Sequence, residues 1–401
     1  MSTVGIIAEY DPFHYGHLYQ LQKARELTGA DQVVVVLGGD FLQRGMPALA
    51  DRGARARMAV DAGADLVLSM PCIYSVNSAR EYASGAVGIL AGAGCADFLS
   101  FGSETADPLL LRKVASIMSR EEELSPLIKE YLSAGLSHAE SFTRAVERIG
   151  GEKAASLLRQ PNDLLACEYI RSLEESGFSA EIVPVKRQEG TVSASQIRSL
   201  AVEGNLEAVE SFVPASTYRV LKDCFRDKDP HSVREYMDRR MMSFLRYRIL
   251  TSDREELSAI LSAGEGIEKR LIKAAADQRI DTVSKLADAV RTKRYPRARI
   301  MRLLTHVLLG LKAEDFHQLK GTYYARVLAF NQNGRKLLAG MRKTSAIPVL
   351  SNLSRTDRYD FPVKRSLELD LRAAGIYAML RGSGNPFKRE IQYVPYMPAD
   401  C

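Results

Sequence analysis

Two histidines, His14 and His17, stand three residues apart in the stretch His14-Tyr15-Gly16-His17. Residues at this spacing share one face of a helix, and both imidazoles can donate hydrogen bonds to phosphate oxygens. A helix N-terminus would add free N–H groups and partial positive charge, and Gly16 has no Cβ to hold a nucleotide away. Such donors stabilise the charge that develops during displacement at phosphorus. We therefore expect a nucleotide site here; a metal-binding pair and two incidental surface histidines are the alternatives.

The two histidines fall between an expected strand and an expected helix, in a half of the chain where the two alternate. Strands are predicted at 3–8, 32–37, 65–70 and 97–101, and helices at 17–28, 52–62 and 79–93. This alternation is typical of βαβ units around a parallel sheet. Because ligands bind beyond the carboxyl ends of such strands, we expect a site built from the loops at 9–17, 38–45, 70–77 and 102–104.

The character of the chain changes near residue 213. Residues 108–180 are expected to be helical, followed by a return strand at 181–185 and a helix at 195–203. From Pro214 onward Arg-rich helical segments predominate, and short strands are indicated only near 323–331 and 391–396. The sequence thus predicts an α/β domain over residues 1–213 and a mainly α-helical domain over residues 214–401.

Composition limits the class of protein. The chain has 401 residues, of which 46% are hydrophobic and 26% charged, which excludes a disordered, collagen-like or disulfide-framework chain. No apolar run approaches the about 18 to 20 residues needed to span a bilayer, and no basic segment of a signal peptide precedes the first strand. The five cysteines are widely spaced and form no CxxC pair, so no metal site is predicted. We expect a reduced, cytoplasmic protein that does not contact membranes.

Charge is divided unevenly along the chain. Residues 1–210 carry 19 Lys and Arg against 28 Asp and Glu, whereas residues 211–401 carry 36 against 21. A basic half of this kind indicates a polyanionic partner, and nucleic acid is favoured over a merely solvated Arg-rich surface. The densest group of cations surrounds Tyr295-Pro296 and could neutralise a phosphate backbone while Tyr295 stacks on a base. It consists of Arg291, Lys293, Arg294, Arg297, Arg299 and Arg302, with Arg239-Arg240 and Arg342-Lys343 as weaker candidates.

Several longer motifs carry a resemblance to a known family. They are GIIAEYDPFHYGH at 5–17, GGDFLQRG at 38–45, FGSE at 101–104, QPNDLLACEY at 160–169 and Lys186-Arg187. Together they resemble the bacterial tRNA(Met) cytidine acetate ligase family, which is part of the HIGH-type nucleotidyltransferase superfamily. The resemblance covers essentially the whole chain. It implies a Rossmann-like, ATP-binding catalytic domain over 1–213 and a basic, mainly helical tRNA-binding domain over 214–401.

The resemblance also implies a reaction and its participants. ATP would adenylate acetate, and the acetyl group would pass to N4 of the wobble cytidine of elongator tRNA(Met), giving N4-acetylcytidine. Mg²⁺ would accompany ATP, and no obligate protein partner is expected. The implied ATP contacts are Ile7, Ala8, Glu9, Tyr10, Asp11, Pro12, Phe13, His14, Tyr15, Gly16, His17, Leu18, Tyr19, Gln20, Gly102, Asn162 and Arg187.

Three positions and one segment keep more than one interpretation. Asp40, at the end of the second expected strand, could be an acid or base, a magnesium ligand or a helix cap, and we group it with His14 and His17 as catalytic. Gly102 could be an ordinary turn glycine, and Asn162 a helix cap. The segment Ser193–Arg198 is similar to the second phosphate site of HIGH-type transferases, which assigns Ser195 and Arg198 to phosphate, although its serines could be plain caps.

Two other function classes remain open at this stage. A small-molecule adenylyltransferase of the same superfamily would explain the histidines but not the basic half. A non-catalytic nucleotide- or RNA-binding protein would need neither phosphate-holding histidines nor an acid–base residue. Acetate-dependent exchange of pyrophosphate into ATP separates the ligase from both alternatives.

Overall fold

The fold is described from a computed structural model, which covers residues 2–188, 190–203, 206–226, 228–264, 266–293, 295–321, 323–353, 356–383 and 388–399. At its centre lies one sheet whose strand order is β5-β4-β1-β2-β3-β6-β7. The strands are β1 (Thr3–Ala8), β2 (Gln32–Leu37), β3 (Leu66–Ser69), β4 (Phe98–Ser103), β5 (Glu181–Lys186), β6 (Ala325–Phe330) and β7 (Val349–Leu350).

Helices fill the connections in the first half of the chain. They are α1 (Tyr15–Thr28), α2 (Arg52–Asp61), α3 (Cys72–Ser75), α4 (Ala79–Ala93), α5 (Pro108–Met118), α6 (Glu121–Ser133), α7 (His138–Gly150), α8 (Glu152–Leu158), α9 (Pro161–Ser176) and α10 (Ala194–Val202). Most begin at a side-chain cap, such as Asp51 before α2 and Ser78 before α4, which accepts an otherwise unpaired N–H group. The predicted strand–helix alternation is confirmed.

The second half is mainly helical, as predicted. Its helices are α11 (Leu206–Val209), α12 (Ala215–Phe225), α13 (Pro230–Thr251), α14 (Arg254–Ser258), α15 (Ile267–Ala276), α16 (Val283–Val290), α17 (Arg297–Leu309), α18 (Ala313–Leu319), α19 (Gln332–Thr344), α20 (Phe361–Leu380) and α21 (Lys388–Ile391). Short 3₁₀ turns lie at Glu210–Phe212 and Thr356–Arg358. Among the helices that the structure describes, none combines the length and apolar character needed to cross a membrane.

The parallel part of the sheet has a single reversal of strand order, and it lies at β1. From β1 the chain proceeds outward through β2 and β3, then returns to place β4 on the opposite side of β1. Ile6 of β1 pairs with Val35 of β2 on one side and with Ser100 of β4 on the other. The crevice beyond the carboxyl ends of β1 and β4 is therefore the switch point at which α/β sheets bind ligands.

Strands from the second half of the chain complete this sheet. β6 runs antiparallel to β3, with Leu66 opposite Phe330, and β7 pairs with β6. The expected division at residue 213 therefore does not separate the sheet from the C-terminal half. The strand indicated near 391–396 is wrong: this segment holds the end of α21 and contributes only a bridge between Tyr396 and Ala329.

The C-terminal helices also pack directly on the loop that follows β2. Thr305 of α17 donates its hydroxyl proton to the Gly45 carbonyl at 2.7 Å. Gly45 has a φ of +79°, and a Cβ there would lie 2.4 Å from the Met301 carbonyl oxygen, so glycine is required by both conformation and space. The 38–45 loop is thus held between the sheet and the basic half.

Candidate active site

His14 and His17 form a closed pair at the start of α1. His14 is the N-cap of the helix: its Nδ1 accepts the Gly16 N–H at 3.0 Å, and its own N–H donates to Nδ1 of His17 at 3.3 Å. Since both Nδ1 atoms are acceptors, the ring proton of each neutral histidine is on Nε2. A Cβ on Gly16 would lie 2.8 Å from the His14 ring, so this position requires glycine. The pair therefore offers two Nε2–H donors beside the N-terminus of α1.

Both imidazoles are uncharged near neutral pH. Burial lowers the pKa of His14 to about 4, and the positive charges of Arg187 and Arg198 contribute in the same direction. Burial also lowers the pKa of His17 well below its usual value, helped by His14 and Arg187. The histidines thus supply hydrogen-bond donors, while the positive charge that an anionic ligand would meet comes from the two arginines.

Aromatic side chains hold the His17 ring in place. The ring of Tyr10 meets His17 edge-on at 4.8 Å, and Phe13 lies 5.7 Å away on a tilted plane. Tyr10 and Phe13 contact each other at 4.7 Å, and both are almost fully buried. Because these rings leave His17 little freedom to rotate, its Nε2–H direction is set before any ligand arrives.

The expected ATP contacts at 7–20 form one continuous segment, which runs from the end of β1 through a loop into α1. Ile7 and Ala8 end β1, Glu9 through Phe13 cross the loop, and Tyr15 through Gln20 occupy the first turns of α1. The carboxylate of Glu9 accepts the Gln43 N–H at 2.7 Å. Burial raises the pKa of Glu9, and this hydrogen bond offsets part of that effect.

Of the other three expected ATP contacts, Asn162 and Arg187 meet at Glu104, and Gly102 lies beside Arg187. Asn162 donates to one Glu104 oxygen at 2.5 Å, and Arg187 lies 3.7 Å from the same oxygen. A Cβ on Gly102 would lie 3.8 Å from the Arg187 side chain, so all three occupy one corner of the switch-point crevice. The side chain of Asn162 is thus held by Glu104, and the contact of Gly102, Asn162 and Arg187 with ATP stays a prediction.

Sequence reasoning missed Asp163, which anchors this corner. Its buried carboxylate accepts hydrogen bonds from the hydroxyls of Ser103 and Thr105 and from the Glu104 and Thr105 N–H groups. These bonds fix the loop after β4 onto the start of α9. In the sequence Asp163 was visible only as an acidic residue in the first turn of a helix, a position that suits the helix dipole anyway.

Asp40 is part of a buried group of charges. One carboxylate oxygen accepts the Arg52 N–H at 2.8 Å, and the other lies 3.7 Å from Nε of Arg52. Arg52 also pairs with Glu390 at 2.5 Å, which pairs with Arg326 at 2.7 Å. Burial raises the pKa of Asp40, and Arg52 partly offsets this. Asp40 accepts from the first residue of α2 and does not cap a helix at Phe41; its catalytic role stays a prediction.

Arg55 is a second residue that the sequence did not single out. Its guanidinium is fully buried and donates to four carbonyl oxygens, those of Glu9 at 2.5 Å, Gly38 at 3.1 Å, Gly39 at 2.5 Å and Ala50 at 3.0 Å. It therefore ties the end of β1 to the end of β2. No local signal distinguishes Arg55 from the other arginines of α2, because the carbonyls it binds come together only in the folded chain.

Of the two residues assigned to a second phosphate site, Arg198 points toward the histidines. It donates to the Asp11 carbonyl at 2.7 Å and lies 3.8 Å from the Asp11 carboxylate. Ser193, rather than Ser195, caps α10. Ser195 is exposed and lines a surface hollow with Phe212, and its phosphate contact stays a prediction.

Some cations of the predicted basic cluster are paired with, or packed against, other residues of the protein. Arg291 and Arg297 both lie within ion-pair distance of Asp288, at 3.7 and 3.4 Å, whereas Lys293 is exposed. Arg299 lies over the Tyr295 ring at 4.0 Å. Arg302 is half-buried, and burial with Arg299 nearby lowers its pKa. Arg294 lies outside the described residues.

Tyr295 requires a correction. Only 3% of its surface is exposed, and its hydroxyl donates to the Gly264 carbonyl at 2.8 Å. The expectation that it stacks on a base is wrong, because its ring is part of the protein interior. In the described part of the chain, no group of three or more His, Cys, Asp or Glu side chains could hold a metal ion.

Comparisons with known proteins identify the family of the chain. Residues 1–390 match the model of a family described as HIGH Nucleotidyl Transferase. The chain is 34% identical over 392 residues to the tRNA(Met) cytidine acetate ligase of Thermoanaerobacter sp. (strain X514), covering 94% of this chain and 95% of that protein. It is 32% identical over 407 residues to the ligase of the same name from Halothermothrix orenii, with 95% of each chain covered.

Solved structures are similar over almost their whole length. Thermotoga maritima TmcAL bound with alpha-thio ATP matches with a TM-score of 0.89 at 30% identity, covering 99% of both chains. The apo form of the same protein matches with a TM-score of 0.90 at 29% identity and the same coverage.

Proposed function

The chain belongs to the HIGH nucleotidyl transferase family and, within it, to the tRNA(Met) cytidine acetate ligases, and we propose that it acetylates N4 of the wobble cytidine of elongator tRNA(Met). The observation that carries this proposal is the meeting of the neutral His14–His17 pair with Arg187 and Arg198 at the β1/β4 switch point. We expect the enzyme to work in the cytoplasm, where its tRNA substrate is used.

The first step is activation of acetate. The triphosphate of ATP would lie beside the N-terminus of α1, near the two Nε2–H groups, the positive end of the helix dipole and the two arginines. An acetate oxygen attacks the α-phosphorus, the bond to the β-phosphate breaks, and pyrophosphate leaves with the bonding electrons. The site favours this step because its donors are already oriented toward the charge that builds on the phosphates.

Mg²⁺ is proposed to arrive with ATP and to neutralise part of the phosphate charge. Asp40 and Asp11 are both candidates to hold it. In each, one carboxylate oxygen accepts a backbone N–H at 2.8 Å, and the other faces an arginine, Arg52 at 3.7 Å from Asp40 and Arg198 at 3.8 Å from Asp11.

The second step transfers the acetyl group. N4 of the cytidine attacks the carbonyl carbon of acetyl-adenylate, the bond from that carbon to the adenylate oxygen breaks, and AMP leaves. N4 gives up one proton in the process. Asp40 is the candidate acceptor of that proton because burial raises its pKa, although acetyl-adenylate is reactive enough to need no dedicated base.

Acetate-dependent exchange of labelled pyrophosphate into ATP tests the first step, and mass spectrometry of tRNA nucleosides tests the second. We expect exchange without tRNA and N4-acetylcytidine only when ATP, acetate and tRNA are all present. Exchange that strictly needs tRNA would mean that RNA binding assembles the site. Exchange with no acetate dependence would instead favour the small-molecule adenylyltransferase.

A further inference from the structure

One face of α13 carries aromatic and cationic side chains in alternation. Tyr236, Arg240, Phe244 and Arg248 follow one another at intervals of four residues, which places them in one row along the helix. Arg239 and Tyr247 stand in the adjacent exposed row. We refer to these six residues as the α13 face.

The members of the row contact one another. The Arg240 guanidinium lies 5.2 Å from the Tyr236 ring centre and 5.3 Å from that of Phe244, and it donates to the Tyr236 hydroxyl. Nε of Arg240 is buried and has no hydrogen-bond partner among the described residues. Tyr247 leaves 71% of its surface exposed. The α13 face is therefore preorganised, and its Tyr236 and Tyr247 rings are exposed to a ligand.

From Arg239 to the end of α13, all charged side chains of the helix are positive. From residue 239 to residue 251 the helix contains four arginines and no Asp or Glu. Arg246 is used internally, where it donates to the carbonyls of Ala275, Asp277 and Ile280. In the described part of the chain no carboxylate lies within ion-pair distance of Arg240 or Arg248, and the exposed Arg239–Glu235 pair is 3.8 Å long. This differs from Arg291 and Arg297, which share Asp288.

The α13 face begins close to the catalytic loops. Arg234, five residues before Arg239, donates to the Pro47 carbonyl at 3.4 Å. The next residue, Ala48, donates its N–H to the Asp40 carbonyl at 2.9 Å. The helix therefore extends from the Asp40 loop into the basic half, and from Tyr236 to Arg248 it spans about 18 Å, at about 1.5 Å per residue.

We propose that the α13 face binds the single-stranded anticodon loop beside the acceptor cytidine, an inference that rests on the proposed function. Proteins bind unpaired RNA by stacking splayed bases on aromatic rings and arginine planes and by neutralising phosphates with cations. The α13 face presents aromatic rings and cations in alternation. The bases of a duplex are already stacked on one another, so these rings could stack only on the bases of a single strand. It therefore replaces the Arg291–Arg302 cluster as the main RNA-binding surface.

The test compares two triple variants of the full-length chain that remove the same charge. In Arg239→Ala/Arg240→Ala/Arg248→Ala we expect the Kd for elongator tRNA(Met) to rise at least about tenfold and the salt dependence of binding to flatten by two to three counterions, about one for each lost phosphate contact. The matched control, Lys269→Ala/Arg270→Ala/Lys273→Ala, removes three exposed cations from α15 and should change affinity only slightly. ATP affinity and melting temperature should stay at the wild-type values in both.

A second pair of variants tests stacking. Tyr247→Ala should weaken tRNA binding about tenfold, the scale of one lost base–aromatic contact, and Tyr247→Phe should restore it because the ring remains. Unchanged tRNA affinity in the triple variant, or equal weakening in the α15 control, would overturn the assignment of this surface. Neither result affects the proposed function, which fails instead if the wild-type protein binds tRNA but forms no N4-acetylcytidine.

Discussion

The imidazole rings of His14 and His17 stack with their centres 3.7 Å apart and their planes inclined by 25°. Two protonated imidazoles would repel each other at this distance, so the contact belongs to the neutral forms. The backbone fixes the protons on Nε2 by offering its N–H groups to both Nδ1 atoms. The pair is thus arranged as a fixed set of hydrogen-bond donors, which favours that role over an acid–base couple.

Removing the Nε2–H donor of His17 should impair the first chemical step. We expect His17→Ala to lower acetate-dependent pyrophosphate exchange by about 10²-fold, the scale for one donor that stabilises developing charge. His17→Gln can place an N–H group in a similar position and should retain more activity. His138→Ala, at an exposed helix start, is the control. Full exchange activity in His17→Ala would remove the assignment.

The pKa of His14 predicts how stability depends on pH. In the unfolded chain the group titrates near its ordinary value of 6.5, and in the folded chain at about 4. The stabilising contribution of the neutral ring is therefore complete above pH 6.5 and is lost as pH falls through 4. At pH 5 the unfolded state gains about 2 kcal/mol from protonating this residue. Urea unfolding at pH 7 and pH 5 should show a smaller pH effect in His14→Gln than in the wild type.

Glu104 should control ATP affinity through the residues it holds. Glu104→Ala frees Asn162 and Arg187, so we expect the KM for ATP in the exchange assay to rise about tenfold, the effect of about 1.4 kcal/mol, with a smaller change in kcat. Glu122→Ala, on an exposed turn of α6, should leave both constants unchanged. A fall in kcat alone would mean that Glu104 acts on the chemical step and not on binding.

Asp40→Asn separates the two roles open to Asp40. Asn keeps an acceptor for the Arg52 N–H but cannot take a proton at neutral pH. If Asp40 receives the proton from N4, acetyl transfer to tRNA should fall while acetate-dependent exchange stays near the wild-type rate. A parallel loss of both activities would show that the carboxylate only holds the loop after β2. Rapid-quench measurement of each step distinguishes the two results.

Glu390 is expected to stabilise the fold. Burial raises its pKa, but Arg52 and Arg326 outweigh that effect and bring the pKa to about 2. Glu390→Gln would leave two buried guanidinium groups without their shared carboxylate, so we expect a loss of about 3 to 5 kcal/mol in the free energy of unfolding, measured with urea. Glu368→Gln, whose ion pair with Arg365 is exposed, should change it by less than about 1 kcal/mol. Similar values for the two variants would contradict this.

The position of the candidate nucleotide site follows from the sequence because its signals are local. A buried valine strand, the glycines at strand ends and the His-x-Gly-His spacing each lie within a few residues, and their periodicity is enough to predict parallel βαβ units. Since such sheets bind ligands at the carboxyl ends of their strands, the loops around His14 and Gly102 could be chosen before any tertiary contact was known.

Only the tertiary structure decided which distant residues complete the site. Arg52 pairs with Glu390, which lies 338 residues away in the sequence. Arg55 donates hydrogen bonds to carbonyl oxygens at the ends of two strands. Strand β6 joins a sheet whose first strand begins more than 300 residues earlier. Tyr295 reads as an exposed ring beside arginines, yet packing buries it. Burial and charge pairing depend on residues that are distant in sequence and come together only on folding. No short stretch of sequence therefore contains the information needed to predict them.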